Sequence, residues 1–243
     1  MVVVVFGMSR SGTSAVAGML RALGVDMGSV FLQPDAGNPR GYWEDLKMLS
    51  LNVALLRVAG GNWVDPPLGR HIGMAYQHLA GQMGRLMLAK VKHANGRPWG
   101  WKDPRNCLTL HAWHSTMARL GLDPRFVEVV RDPGRIVWSL IKRARDSRFW
   151  WVKHMRPDDW ANLIETYAVR VAWYRGRVEQ AAPGWLEDRW WKVDFEDLLE
   201  RPSFWAECFA RRVGLEPSML ELTSAAATIQ KQEESSGVEE STT

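Results

Sequence analysis

The sequence predicts an α/β fold in which a central parallel sheet carries helices on both faces. Three observations predict it. Val2-Val3-Val4-Val5-Phe6 is an unbroken β-branched and aromatic run ending at Gly7, which fits a strand buried on both sides. Phe126-Val127-Glu128-Val129-Val130 and Trp191-Lys192-Val193-Asp194-Phe195 are two further strand-like runs. Between them the apolar residues recur at helical spacing, and strands that alternate with helices form parallel sheets covered on both faces.

In chain order, Thr13 to Leu23 has helical spacing, and Gly24 is a natural stop. Asp35 to Asp45 is rich in Gly, Pro and Asn and reads as a loop. Met48 to Val58 reads as a helix closed by Gly60-Gly61, and Met74 to His93 as a long helix closed by Asn95-Gly96. Trp99 to Lys102 is a short strand and Leu108 to Leu120 a helix. After the strand at 126–130, Asp132 supplies an N-cap and Pro133 the first helical position, with the helix continuing to Arg145. Trp160 to Gln180 and Ser203 to Val213 complete the helices. Residues 1–229 are expected to form one domain. Residues 230–243 carry Glu, Ser and Thr with almost nothing apolar and are expected to be disordered.

The 243 residues are 46% apolar and 24% charged, ordinary for a globular protein that can bury a large core. The formal charge of +4 suits an anionic ligand without arguing for nucleic acid. Cys107 and Cys208 make neither a disulfide framework nor a zinc pattern, so the expected compartment is a reducing cytoplasm. The apolar start lacks the basic region of a signal peptide, and no apolar run is long enough to span a bilayer. The 14 Trp fill the core and groove rims on the plainer reading. On the sharper one, some line a site for a sugar, an aromatic acceptor or a purine.

Chemistry concentrates first in Gly7-Met8-Ser9-Arg10-Ser11-Gly12-Thr13-Ser14, between a strand and a helix. Such a turn aims backbone N–H groups at one point, and the helix N-terminus adds positive potential, a combination that binds phosphate. The spacing approaches a Walker A loop, but Thr13 stands where that loop has its lysine. Nucleoside triphosphate enzymes need that lysine and Mg²⁺. This loop suits a single phosphate instead, with Arg10 as its cation. A second constellation is Arg131-Asp132-Pro133 with Ser139 two turns into the next helix. Both Arg131 and Ser139 can reach another phosphate, unless Arg131 merely pairs with a surface carboxylate.

With these motifs in this order, the chain resembles the 3′-phosphoadenosine-5′-phosphosulfate (PAPS)-dependent sulfotransferases. A weaker echo is Val193-Asp194-Phe195-Glu196-Asp197-Leu198 followed by Val213-Gly214-Leu215, so the resemblance runs from about residue 2 to 216. It implies a P-loop-type three-layer fold and PAPS as donor. It also implies adenosine 3′,5′-bisphosphate (PAP) as product and no metal. By the same resemblance Arg10, Ser11, Gly12, Thr13 and Ser14 hold the 5′-phosphosulfate, and Arg131 and Ser139 the 3′-phosphate. The family's C-terminal Arg-Lys-Gly closing loop has no counterpart in the acidic end of this chain.

Two further segments look catalytic, Asn38-Pro39-Arg40-Gly41-Tyr42-Trp43-Glu44-Asp45 and Trp99-Gly100-Trp101-Lys102-Asp103-Pro104-Arg105. Sulfuryl transfer needs a base for the acceptor proton and cations for the developing charge. The Lys-x-His segment of the cytosolic, histidine-base branch is absent. The branch that uses a carboxylate, which includes tyrosylprotein and carbohydrate sulfotransferases, is closer. Glu44 and Lys102 match its base and its lysine, with Asp45 competing for the base. The plainer alternatives are a solvated loop carboxylate and a surface lysine; Asp103 and Arg105 form a structural pair.

Lys142, Arg143, Arg145, Arg148 and Lys153 interleave with Phe149, Trp150 and Trp151, a stretch that reads as a solvated helix face more readily than as a nucleic-acid site. The resemblance implies a small-molecule or carbohydrate acceptor; no nucleic acid or membrane partner is expected, and the oligomeric state is left open. Two rivals stand beside this reading: a P-loop kinase or NTPase lacking the Walker lysine, and a non-catalytic basic nucleic-acid-binding module.

Overall fold

The computed structural model describes residues 1–35, 38, 41–145, 156–181 and 188–234, with side chains at all of these except 157, 160, 175, 177–181 and 230–234. The elements are β1 (Val2–Phe6), α1 (Thr13–Ala22), α2 (Leu46–Val58), α3 (Gly69–Ala94), β2 (Trp99–Lys102), α4 (Asn106–Arg119), β3 (Pro124–Val130), α5 (Pro133–Arg145), α6 (Pro157–Ala181), β4 (Trp190–Asp194), α7 (Phe195–Glu200), α8 (Pro202–Arg212) and α9 (Met219–Glu234). The sheet is wholly parallel, in the order β2-β1-β3-β4, with Val4 of β1 opposite Trp101 of β2 and Phe126 of β3.

β1 is buried along its whole length because it lies inside the sheet with helices on both sides. Val2, Val4 and Phe6 face a core built with α2 to α6, including Trp101 and Trp113. Val3 and Val5 face the opposite core, built with α1, α8 and α9. Thus α1 leaves β1 toward one face and α5 leaves β3 toward the other. The two exits open a crevice at the carboxyl ends of β1 and β3, the place where open α/β sheets bind ligands.

The last strand, expected through Phe195, ends at Asp194, whose side chain accepts from Asp197 N at 3.1 Å and starts α7. A further helix, α9, closes the described chain. There Ser218 Oγ accepts from Glu221 N at 3.3 Å while Glu221 Oε2 accepts from Ser218 N at 2.7 Å, a reciprocal capping box. Ala225, Ala226 and Ile229 are buried, so the helix is held by packing. It continues through Glu234; residues 235–243 of the expected tail lie outside the described residues, as do Arg148 to Lys153 of the basic aromatic stretch. No helix among the described residues is long and apolar enough to cross a membrane.

Candidate active site

The glycine loop is shaped by close approach. A β-carbon on Gly12 would stand 2.1 Å from the Phe195 ring, and Gly12 has a φ of +94°. Glycine is required there twice over, by backbone and by space. Gly12 caps α1 without a side-chain bond, and no acidic residue occupies the first turn. The first N–H groups of α1 are therefore left for an anion. Arg10 also sits at positive φ, +75°, the kind of backbone strain that persists where a site requires it. Ser11 Oγ is buried without a hydrogen-bond partner among the described residues.

The second motif meets the first across the crevice. Arg10 Nε donates to Ser139 Oγ at 2.9 Å, and Arg131 Nη1 donates to the Arg10 carbonyl at 3.2 Å. Asp132 Oδ1 accepts from Arg135 N at 2.9 Å, so the expected cap on α5 is present. Arg131 lies 4.8 Å over the Phe195 ring and pairs with Glu196 at 3.0 Å. The same phenylalanine that demands Gly12 thus also seats Arg131. Burial, then the positive charges of Arg143 and Arg131, pulls the Arg10 guanidinium below its ordinary range.

A strap crosses the loop. Asn38 Nδ2 donates to the Gly41 carbonyl at 2.8 Å, and Arg143 Nη2 of α5 donates to Tyr42 Oη at 2.9 Å. Tyr42 in turn donates to Asp35 at 2.6 Å. Burial and that bond push its phenol up to about 12, so it remains a donor at neutral pH. Pro39 and Arg40 lie outside the described residues.

Behind the strap is a buried ionic knot. Lys102 Nζ, at the end of β2, donates to Glu44 Oε1 at 2.8 Å, the Tyr42 carbonyl at 3.1 Å and Ser14 Oγ at 3.3 Å. Arg105 Nη1 donates to Glu44 Oε2 at 3.0 Å and to Asp103 Oδ1 at 2.9 Å. Burial, then the Glu44 charge, raises Asp103 above the usual carboxylate range. Asn52 of α2 locks the base of the knot. It donates to Asp103 Oδ2 and Asn106 Oδ1 and accepts from Thr109 and Trp113, so its amide is fully used.

A model of the sulfotransferase family matches residues 3–218. This chain belongs to the sulfotransferase family. The sulfotransferase domain of a Synechococcus olefin synthase shares the fold at 16% identity and TM-score 0.51, with 95% of this chain and 79% of that one aligned. A sulfotransferase from Mycobacterium tuberculosis aligns at 16% identity and TM-score 0.49, covering 93% of this chain and 70% of that one. No curated protein sequence gives a significant match.

In this sulfotransferase, Arg10, Arg131 and Ser139 come together directly, and Ser14, Lys102 and Glu44 form one connected group. Neither Glu44 nor Lys102 is the solvated residue of the plainer reading: their side chains are 5% and 2% exposed. Asp45 points elsewhere. It caps α2 through Lys47 N and Met48 N and pairs with Lys90 at 2.6 Å. Asp103 and Arg105 do pair, but Arg105 also grips Glu44. Sequence reasoning singled out the segments of Tyr42, Arg143 and Phe195 without giving these residues a place in the site, and it passed over Asn52. Asn52 alone left a readable signal, as an amide on the apolar face of a helix.

Proposed function

We propose that this sulfotransferase moves a sulfuryl group from PAPS to a hydroxyl or amine of a small-molecule or carbohydrate acceptor and releases PAP, acting in the cytoplasm. The observation that carries the reading is the meeting of both phosphate motifs at the β1/β3 crevice, Arg10 against Ser139 and Arg131 against the Arg10 carbonyl. The donor fits what is there. The orphaned Ser11 hydroxyl and the free N–H groups of α1 suit the 5′-phosphosulfate, with Arg10, Gly12, Thr13 and Ser14 around it. Arg131 and Ser139 suit the 3′-phosphate. Arg143 adds a third guanidinium close enough to act on Arg10.

PAPS supplies an activated sulfuryl group whose transfer leaves PAP. The chain supplies position, charge and a proton acceptor. Glu44 takes the acceptor proton, as in the carboxylate-using branch. Each of its oxygens accepts a hydrogen bond from one cation, which leaves lone pairs for an acceptor hydroxyl. Lys102 and Arg10 spread the charge that develops on the transferred oxygens. Lys102 already has three acceptors for its three N–H groups, so it must exchange one to do this. The Ser14 hydroxyl, part of the glycine loop, is the natural one to yield.

Calorimetry with PAP, ATP and GTP, each with and without Mg²⁺, tests the donor. PAP is expected to bind without metal, and the triphosphates far more weakly. Equal affinity for ATP, or an absolute need for Mg²⁺, overturns the assignment in favour of a P-loop kinase or NTPase.

A further inference from the structure

Two carboxylates share one nitrogen of Arg105. The N–H groups of Nη1 go to Glu44 Oε2 at 3.0 Å and to Asp103 Oδ1 at 2.9 Å, so that corner of the guanidinium is fully used. The two partners hold it unequally. Glu44 meets Arg105 through that one hydrogen bond. Asp103 Oδ1 accepts a second one, from the Arg105 backbone N at 2.8 Å, so it grips the residue at main chain and side chain together. Asp103 is itself tied down. Its Oδ2 accepts from Asn52 at 2.8 Å, its N donates to the Val5 carbonyl of β1 at 3.2 Å, and its carbonyl accepts from Asn106 N at 3.1 Å. Val5 lies two residues before Gly7, where the glycine loop opens.

The two cations on Glu44 differ in the same sense. Lys102 divides its N–H groups among Glu44, the Tyr42 carbonyl and Ser14, and one of these bonds has to turn to the transferred group. Arg105 touches none of the glycine loop, and its Nε is buried without a hydrogen-bond partner among the described residues. Charge works in the same direction. Only donors bond to the Asp103 carboxylate, so its surroundings are built for the anion. The Glu44 charge is one of the causes that raise Asp103, so a proton arriving on Glu44 makes Asp103 a firmer anion and a firmer partner for Arg105. Cys107 of α4 and Tyr174 of α6 also feel Asp103, and burial holds both above their ordinary ranges, hence protonated.

We propose that Arg105 is the positioning residue of the base and that Asp103 is its anchor: the guanidinium stays on Glu44 through proton transfer, while Lys102 serves the transferred group. The proposal rests on the reading of Glu44 as base. It divides the two cations of the knot by task. It also sets the base in register with the donor loop, because the anchor hangs from the strand that carries that loop.

The test is NMR on the full chain, labelled with ¹⁵N-arginine and with ¹³C at the glutamate carboxyl, with no added ligand. The Arg105 signals are those lost in Arg105→Lys, and the Glu44 carboxyl signal is the one lost in Glu44→Gln. A clamped Nη1 blocks rotation about the Nε–Cζ bond and keeps the two Nη signals separate. They should stay separate in Glu44→Gln, where Asp103 still holds the fork. They should merge in Asp103→Asn, which has one oxygen where Arg105 and Asn52 need two. Arg105→Gln keeps a donor but no charge. There the pH at which the Glu44 carboxyl titrates should rise by about one pH unit or more, because a neighbouring cation favours the carboxylate. An arginine whose charge is absorbed by Asp103 alone would leave that value unmoved. Merged signals in Glu44→Gln, separate signals in Asp103→Asn, or an unmoved Glu44 titration in Arg105→Gln each overturns the proposal, and the first and third do not need Asp103→Asn to fold. Base and anchor fail separately. Full turnover in Glu44→Gln removes the base, whatever the Arg105 signals do. Crippled turnover in Glu44→Gln with merged Arg105 signals removes the anchor and keeps the base.

Discussion

The two halves of the active site hold their charges in opposite ways. Around the glycine loop, Arg131 and Arg143 pair with Glu196 and Asp35, which are 27% and 53% exposed. Exposed pairs of that kind are worth about 0–1 kcal/mol, so a phosphate can displace the carboxylates at little cost. In the knot, Lys102, Glu44, Arg105 and Asp103 form buried pairs backed by a saturated amide. Breaking a buried pair costs about 3–5 kcal/mol. One half is therefore loosely tied and ready to exchange partners with an anion. The other keeps its buried ion pairs fixed even if Lys102 releases Ser14, which is what the proposed proton acceptor and its cations need.

The sharpest way to break this division is Glu44→Gln. Glutamine keeps the shape but cannot accept the proton, and a positioned base contributes roughly 10²–10⁴ in rate. Turnover with any working acceptor should fall by that factor, while PAP affinity, set by the other half, stays nearly constant. The melting temperature should also drop, because Lys102 and Arg105 lose their shared carboxylate. Kinetics alongside PAP calorimetry reads both; near-normal turnover removes Glu44 from the role of base.

Asn52→Ala attacks the foundation of the same knot without touching either reactant. It leaves Asp103 Oδ2, Asn106 Oδ1 and Trp113 Nε1 each without its buried hydrogen bond. Each orphaned group costs about 1–3 kcal/mol, so a loss on the order of 3 kcal/mol or more is expected in chemical denaturation. A loss below about 1 kcal/mol would mean that the knot tolerates rearrangement, and the contrast between the halves would fail.

Arg131→Ala probes the loosely tied half. It should weaken PAP by about 1.5–3 kcal/mol, the worth of a charge-assisted bond, while adenosine 5′-phosphate, which lacks the 3′-phosphate, loses much less. Equal losses for both ligands would make Arg131 a brace for the Arg10 carbonyl rather than a phosphate contact.

What the sequence makes legible follows the same division. The glycine loop, Asp132-Pro133 and Ser139 are local patterns on contiguous chain, and the structure brings them to one crevice. The groups that hold the site in shape come from far away along the chain. Phe195 presses on Gly12, Glu196 reaches Arg131, Arg143 reaches Tyr42, and Asn52 reaches Asp103. None of these pairs has a periodicity or motif that links its members. Only the sheet order and the helix packing bring them together.

The smallest effect tests a distinction between neighbours. Glu44 and Asp45 are adjacent carboxylates, both buried, and sequence alone leaves either as the base. Their surroundings separate them: Glu44 faces Lys102 and Arg105, whereas Asp45 caps α2 and pairs with Lys90. Asp45→Asn keeps an oxygen for Lys47 N and Met48 N, and asparagine is as good an N-cap as aspartate. What it loses is the attraction to Lys90, whose side chain is 15% exposed. The pair is as buried as Arg105–Glu44, and weakening a charged hydrogen bond there should cost about 1–3 kcal/mol of stability, with turnover and PAP affinity unchanged. If Asp45→Asn instead cripples turnover while Glu44→Gln is silent, the base is one residue further along the chain. The knot would then be purely structural, because Asp45 shares none of its hydrogen bonds.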